Sequence, residues 1–122
     1  MILNNRKAVA KSFLGKVVYI KIDRPIGYVH KKMFFSLTYP VNYGYIPDVI
    51  GGDGEEIDVY LLGVDKPVTE FTAQIIAIIH RENDVEDKLV GVPVGYEITE
   101  EEIAQAVDFQ EKFFKTYIEV LK

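Results

Sequence analysis

The sequence contains no cysteine among its 122 residues, which excludes disulfide bonds and thiolate metal sites. It has no apolar run near the roughly 20 residues that a helix needs to cross a lipid bilayer. Its N-terminus also lacks the apolar core and small-residue cleavage site of a secretory signal. From these absences we expect a cytoplasmic protein that has no membrane partner.

Internal repeats, low-complexity tracts and linkers are absent too. The chain is 48% hydrophobic and 27% charged, a composition typical of globular proteins. Its length suits one domain built around one hydrophobic core. We therefore expect residues 1–122 to form a single domain.

Positive charge is scarce overall and unevenly distributed. Residues 1–32 carry eight Lys or Arg and one acid, whereas residues 33–122 carry six Lys or Arg and eighteen acids. The net charge of −5 disfavours nucleic acid as a main partner, because domains that bind it are usually basic. The basic first quarter and the acidic remainder either meet at a site for an anion with metal counter-ions or lie on solvated faces.

Short apolar and β-branched runs, bounded by glycine, proline and polar residues, predict strands over 17–22, 56–63, 72–79 and 88–94. Short strands and loops are expected over 28–50, and a polar loop over 80–87. Thr99 and Glu102 fit a capping box, and apolar residues at helical spacing follow as far as Leu121. We therefore predict a C-terminal amphipathic helix of about six turns. These elements indicate a mainly β, α+β fold: a small OB-like barrel with a long C-terminal helix.

Four carboxylates occur within residues 53–58, Asp-Gly-Glu-Glu-Ile-Asp. Asp58 falls in register with Ile57, Val59 and Leu61 on a strand that should be buried, where a carboxylate costs several kcal/mol unless its charge is compensated. A divalent cation is the compensation we expect. Ligands that offer only oxygen atoms suit Mg²⁺ or Mn²⁺ better than zinc.

A second acidic cluster, Glu82, Asp84, Glu86 and Asp87, directly precedes Lys88. If the two strands pair, the two clusters face each other at one end of the sheet. Such an arrangement suits metal-assisted phosphoryl chemistry, in which metals clamp oxygens and activate water while lysine holds a phosphate. Two solvated hairpin loops are the alternative.

Residues 39–46, Tyr-Pro-Val-Asn-Tyr-Gly-Tyr-Ile, and residues 53–59, Asp-Gly-Glu-Glu-Ile-Asp-Val, resemble a motif of the soluble family I inorganic pyrophosphatases. That family carries Tyr-Pro-x-Asn-Tyr-Gly-Tyr, followed at matching distance by Asp-x-Asp-Pro-x-Asp. The resemblance implies a five-stranded OB-like barrel and the Mg²⁺-dependent hydrolysis of inorganic pyrophosphate, a small-molecule phosphate substrate, to two phosphates. Family members are usually oligomeric, which leaves a homo-oligomer open.

The resemblance also implies roles for particular residues. Glu55 stands where the family has an Asp linked to the nucleophilic water, and either Glu86 or Asp87 takes the second metal position of the later loop. The full set of candidates is catalytic Glu55 and Tyr43, substrate-binding Arg24, Lys31 and Lys88, and metal-binding Asp53, Asp58, Glu82, Glu86 and Asp87. Arg24 and Lys31 are included as nearby cations and do not match family phosphate ligands.

Several positions depart from the family pattern. Glu55 adds a methylene where placement is sensitive on a scale of about 1 Å. The family's phosphate-binding arginine has no counterpart, and Lys31 or Lys32 nearby lacks the bidentate geometry of arginine. Phe113 and Phe114 fall close to the family's Tyr-Lys pair, and phenylalanine cannot donate a hydroxyl hydrogen bond. Two alternatives therefore stay open: a hydrolase of another phosphoanhydride such as a nucleotide, and a non-catalytic module that binds metal or phosphate.

Two histidines and three tyrosines complete the candidates. His80 ends an apolar strand, where a hydrogen bond to the backbone is favoured over a role as general acid or phosphate ligand. His30 is expected on the surface. Tyr39, Tyr43 and Tyr45 alternate along an extended segment and should share one face.

Overall fold

The strand-forming runs of the sequence fold into eight β-strands within residues 9–50, 56–82 and 87–121, which are the residues that this computed structural model describes. The strands are β1 Val17–Arg24, β2 Val29–Lys31, β3 Ser36–Thr38, β4 Asn42–Ile50, β5 Glu56–Leu61, β6 Glu70–Arg81, β7 Asp87–Val92 and β8 Thr116–Val120. Residues 9–12 are helical (α1), and a second helix, α2, spans Glu100–Glu111. The four strands predicted from apolar runs are all present, as β1, β5, β6 and β7.

Five of these strands close into a barrel, as predicted. The sheet runs β1-β4-β5-β7-β6, and β1 also pairs with β6, starting with Val17 opposite Gln74. The neighbouring strands are antiparallel except β5 and β7, which are parallel. β8 lies beside the second half of β6, ending with Arg81 opposite Thr116, while β2 and β3 form a separate hairpin.

The barrel wall is buried on both faces along most of β5 and β7, which explains the nearly continuous apolar runs of these two strands. Ile57, Val59 and Leu61 pack in the barrel interior with apolar residues from the other four barrel strands and from α1. Tyr60 points the other way, into a cluster that α2 covers. Since side chains alternate along a strand, Asp58 lies on the outer face with Tyr60.

Helix α2 begins where the sequence predicts but ends much earlier. Thr99 is its N-cap and forms a complete capping box with Glu102. The helix ends at Glu111 after 12 residues, so the prediction of about six turns is wrong. Alternating β-branched residues from Thr116 to Val120 form β8 instead, because β6 offers them an open edge to pair with. None of the helices in the described ranges has the length and apolar character that a bilayer crossing requires.

Two residues of the tyrosine-rich motif fix the surroundings of β4: one ties connecting loops to this strand, and the other lets β1 lie close to it. Asn42 is fully buried, and its Oδ1 accepts hydrogen bonds from the backbone N–H groups of Ile26 and Val68. Its Nδ2 donates to the Lys66 carbonyl at 2.9 Å. Gly44 lies so close to β1 that a Cβ at this position would overlap a backbone carbonyl of that strand. These two motif residues therefore have structural roles, and they position the tyrosines beside them.

Candidate active site

The register between β4 and β5 places a carboxylate beside a phenol on the outer face of the barrel. Tyr43 lies opposite Tyr60, and Tyr45 lies opposite Asp58. Residues opposite each other in an antiparallel pair share a face, so Asp58 lies on the side of Tyr43 and away from Ile57. The expectation that Asp58 shares the buried face of its strand is therefore wrong, and 28% of its side chain is exposed.

Lys88 compensates the charge of Asp58 in this structure. The Lys88 Nζ lies 2.5 Å from Asp58 Oδ2 and 5.7 Å from the centre of the Tyr43 ring. Lys88 is buried on β7, the parallel neighbour of β5. The contact is a charge-assisted hydrogen bond between residues 30 positions apart, which sequence spacing alone does not reveal.

A cavity of about 390 Å³ opens on this outer face, close to the end of α2. Four cationic side chains line it, those of Arg24, Lys32, Arg81 and Lys88. Two carboxylates, those of Asp23 and Asp58, also line it. Because the cations outnumber the carboxylates, the cavity attracts anions. Its volume suits a small ligand.

A partly buried hydrogen-bond chain runs from Arg24 towards α2. The Arg24 Nη1 donates to the Tyr39 hydroxyl at 2.6 Å, and this hydroxyl donates to Gln110 Oε1 at 2.6 Å. The Gln110 Nε2 donates to the Tyr60 hydroxyl at 2.6 Å, and that hydroxyl donates to Glu111 Oε2 at 2.5 Å. Burial is the largest single influence on the pKa of Arg24 and would lower it, but the hydrogen bond to Tyr39 and the electrostatic interactions with the surrounding tyrosines together outweigh burial and raise the pKa.

Glu111 ends this chain and also holds the second arginine. The Arg81 Nε and Nη2 donate to the two Glu111 oxygens at 3.0 and 2.7 Å, and the two side chains are 4% and 5% exposed. Burial alone would lower the pKa of Arg81, but the hydrogen bonds and charge of Glu111 outweigh burial and raise it. The Arg81 guanidinium also lies 3.7 Å from the centre of the Phe114 ring. Arg81 is therefore a permanent cation in a fixed orientation.

Tyr39, Tyr43 and Tyr60 form a tyrosine cluster behind the cavity. The rings of Tyr39 and Tyr43 lie 5.5 Å apart, and those of Tyr43 and Tyr60 lie 4.9 Å apart. Burial raises the pKa of each phenol, and the charge of Asp58 adds to the rise at Tyr43. These hydroxyls therefore keep their protons at neutral pH and act as hydrogen-bond donors.

Asp23, Arg81 and Gln110 are site residues that the sequence interpretation missed. Asp23 lies at an exposed position of β1 just before Arg24 and lines the cavity, where partial burial of its carboxyl raises the pKa and the charge of Asp58 adds to the rise. The adjacency of Asp23 to the predicted Arg24 was the signal that could have identified it. Arg81 and Gln110 gave no such signal, because the partners that orient them come from other elements.

Four of the ten predicted site residues line the cavity: Arg24, Tyr43, Asp58 and Lys88. Lys31 is exposed and does not line it, and the neighbouring Lys32 does. Glu82 is exposed just beyond β6 and is not among the lining residues. Three predicted residues, Asp53, Glu55 and Glu86, lie outside the described residues.

Asp87 lies in a different cluster. It is buried, and its Oδ2 lies 3.3 Å from His80 Nδ1. The other ring nitrogen of His80 lies 2.9 Å from Glu119 Oε1, and its ring stacks on Tyr117. Carboxylate side chains thus contact both ring nitrogens of His80, whereas the sequence favoured a hydrogen bond to the backbone. His30 is partly exposed and lines the cavity.

Among the described residues, the carboxylates at the cavity offer the type of ligand atom that a hard cation prefers. Asp23 and Asp58 bring carboxylate oxygens to the cavity, the donor type that Mg²⁺ and Mn²⁺ prefer. Across residues 9–50, 56–82 and 87–121 no group of three or more His, Cys, Asp or Glu side chains forms a complete metal site. The predicted ligands Asp53 and Glu86 and the predicted catalytic Glu55 belong to the stretches beyond those ranges.

The closed barrel with its flanking helix is the architecture of solved inorganic pyrophosphatases. The fold is similar to that of the Ehrlichia chaffeensis enzyme, with a TM-score of 0.68, 16% identity and 88% coverage of both chains. It is also similar to that of the Thermus thermophilus enzyme, with a TM-score of 0.58, 18% identity and coverage of 87% of this chain and 80% of the other. These likenesses define the class as an OB-like barrel of the pyrophosphatase type.

The sequence matches the family profile described as inorganic pyrophosphatase over residues 15–121, and the chain belongs to that family. It is 28% identical over 111 residues to an inorganic pyrophosphatase of Rickettsia prowazekii, covering 85% of this chain and 64% of the relative. It is 37% identical over 78 residues to that of Saccharolobus solfataricus, covering 61% of this chain and 41% of the relative. The chain thus spans less than two thirds of the length of these relatives.

Proposed function

We propose that this chain hydrolyses inorganic pyrophosphate to two phosphates with Mg²⁺ as its cofactor. The observation that carries this proposal is the convergence of four cationic side chains on one cavity beside Asp58 and Tyr43, in a chain of the pyrophosphatase family. Pyrophosphate is a compact anion with several charges, which such a cavity can bind through charge-assisted hydrogen bonds.

The two arginines and Lys88 bind and orient the substrate. Tyr39 and Glu111 hold Arg24 and Arg81 in place, so little side-chain freedom is lost when they contact phosphate oxygens. Lys88 neutralises Asp58 and is close enough to share its charge with a phosphate oxygen in the same cavity. The neutral Tyr43 hydroxyl donates a hydrogen bond to the substrate or to Asp58.

The carboxylates bind the metal and activate the attacking water. When bound, Mg²⁺ neutralises phosphate charge and makes a water molecule more acidic, and Mn²⁺ is the alternative metal. The ligands we propose are Asp53, Asp58, Glu82 and Glu86, with Asp23 as a further carboxylate at the cavity. We prefer Glu86 to Asp87 at the second position of the later loop, because Asp87 contacts His80 instead. Glu55 orients the attacking water and accepts its proton.

Phosphate release from pyrophosphate tests the proposal. Wild-type protein with Mg²⁺ should release phosphate, and Asp58→Asn should lower kcat/KM by at least about a hundredfold, since it removes a charge from the reacting centre. Asp108→Asn, which makes the same change at an exposed position of α2, is the matched control and should keep wild-type activity. No release above the Asp58→Asn background would refute the proposal.

A non-catalytic module that binds metal or phosphate is the second candidate, and the loss of the family's Tyr-Lys pair favours it. Calorimetric binding of pyrophosphate without phosphate release would support that candidate. The proposal treats residues 1–122 as one domain of a cytoplasmic protein. A homo-oligomer remains a prediction, which light scattering tests.

A further inference from the structure

One wall of the cavity is aromatic, and a pyrophosphate ion offers no group for it to bind. Phe35, Phe113 and Phe114 line the same cavity as the four cations. Their exposed fractions are 48%, 54% and 40%. Exposed apolar patches beside a polar site are typical of ligand-binding grooves. The three rings, which we call the phenylalanine shelf, therefore suit a ligand with an apolar, flat part.

The shelf is a continuous surface rather than a slot. The Phe35 and Phe113 rings lie 5.7 Å apart at an interplanar angle of 31°, and the Lys112 Nζ lies 5.5 Å from the centre of the Phe113 ring. The Phe114 ring carries the Arg81 guanidinium on its face, which joins the shelf directly to the cationic part of the cavity. A ligand that spans the two parts therefore places a flat group and an anionic group side by side.

The positive charge of the cavity favours a small anionic ligand with a flat group over a second copy of the protein. The shelf does not stand alone as an apolar face, because Lys32 and Arg81 line the same cavity. A flat apolar group that arrives with its own negative charges satisfies both parts. The cavity volume of about 390 Å³ falls in the range of sites that bind small organic ligands.

We infer that the cavity binds organic diphosphates that carry an aromatic base, with the base on the phenylalanine shelf and the diphosphate among the cations; a nucleoside diphosphate is the simplest ligand of this class. The inference rests on the proposed function, since it uses the same anion site. Aromatic side chains stack with any base, so the shelf distinguishes ligands with a base from ligands without one.

Calorimetry with two probes tests the inference. ADP and methyl diphosphate carry the same diphosphate ester, and only ADP carries a base. With Mg²⁺ present, wild-type protein should bind ADP roughly 5- to 150-fold more tightly than methyl diphosphate, the range expected for stacking of one base. Phe113→Ala and Phe35→Ala should each lose most of that preference. Phe34→Ala is the matched control, because Phe34 is 91% exposed and does not line the cavity.

Equal binding of the two probes by wild-type protein would overturn the inference. An equal loss of the preference for ADP in Phe34→Ala would overturn it too. Phe35 and Phe113 are both exposed, so two independent variants protect the test against misfolding, which circular dichroism checks. Phosphate release from pyrophosphate is measured on the same samples. Hydrolysis without a base preference removes the inference alone, whereas a base preference without hydrolysis removes the proposed function and leaves a nucleotide-binding protein.

Discussion

Replacing Glu111 with Gln should destabilise the protein by about 3 kcal/mol. Glu111 is buried and accepts two hydrogen bonds from Arg81 and one from Tyr60. Removing one partner of a buried ion pair costs about 3–5 kcal/mol, and the amide oxygen of Gln preserves one hydrogen bond, which puts the loss at the lower end. For a chain of 122 residues with an unfolding entropy of about 2.1 cal/mol/K per residue, this loss lowers Tm by about 12 °C.

Urea unfolding followed by circular dichroism at neutral pH measures this loss, since the chain has no tryptophan for fluorescence. Asp108→Asn removes the same charge from an exposed position of α2 and should change stability by less than about 0.5 kcal/mol. Adding Arg81→Met to Glu111→Gln should recover part of the loss, because the buried cation that Gln cannot compensate is then gone. A loss below about 1 kcal/mol for Glu111→Gln, or an equal loss in the control, would refute the reasoning.

Four further predictions concern the scaffold around the site. Because burial raises the pKa of the tyrosine cluster above the ordinary value of 10.0, the unfolded state loses these protons first, and stability should fall as pH rises above that value. Phenolate absorbance should show these three phenols ionising together with alkaline unfolding, and their ionisation in the folded protein near pH 10 would contradict this. Asn42→Ala should cost about 2–4 kcal/mol in urea unfolding, since it leaves three partly buried backbone groups unpaired, and a neutral effect would remove its structural role. Gly44→Ala should cost more than about 3 kcal/mol, because its Cβ meets backbone rather than a side chain that can move. Thr99→Ala should cost about 1 kcal/mol through loss of the N-cap, and Thr99→Ser, which keeps the hydroxyl, should restore most of it.

Local sequence predicted the strands and the start of the helix because both depend on interactions between residues that are close in the chain. The β-branched run at the start of β1 and the apolar run within β6 form strands as expected. The capping box at Thr99 is a contact between residues three positions apart, so it is visible in the sequence. The resemblance at the tyrosine and acidic motifs then identified the barrel and the family correctly.

The rest depended on contacts between distant segments. Residues 116–120 satisfy both a helical and an alternating pattern, and the open edge of β6 decides in favour of the strand. Asp58 was expected to need a cation from outside the chain, and Lys88, 30 positions away, compensates it. Arg81 could not be recognised as a site residue, because its orientation depends on Glu111, again 30 positions away.

The two halves of strand β6 pair with different strands. Its first half pairs with β1 and closes the barrel, whereas its second half pairs with β8. Cutting the chain after α2 would therefore remove β8 and the shelf residues Phe113 and Phe114 while leaving every ladder of the closed barrel intact. The last segment thus adds two of the three phenylalanine side chains of the cavity from outside the closed barrel, and through Phe114 and the pairing of Arg81 with Thr116 it also helps to hold one of the two arginines.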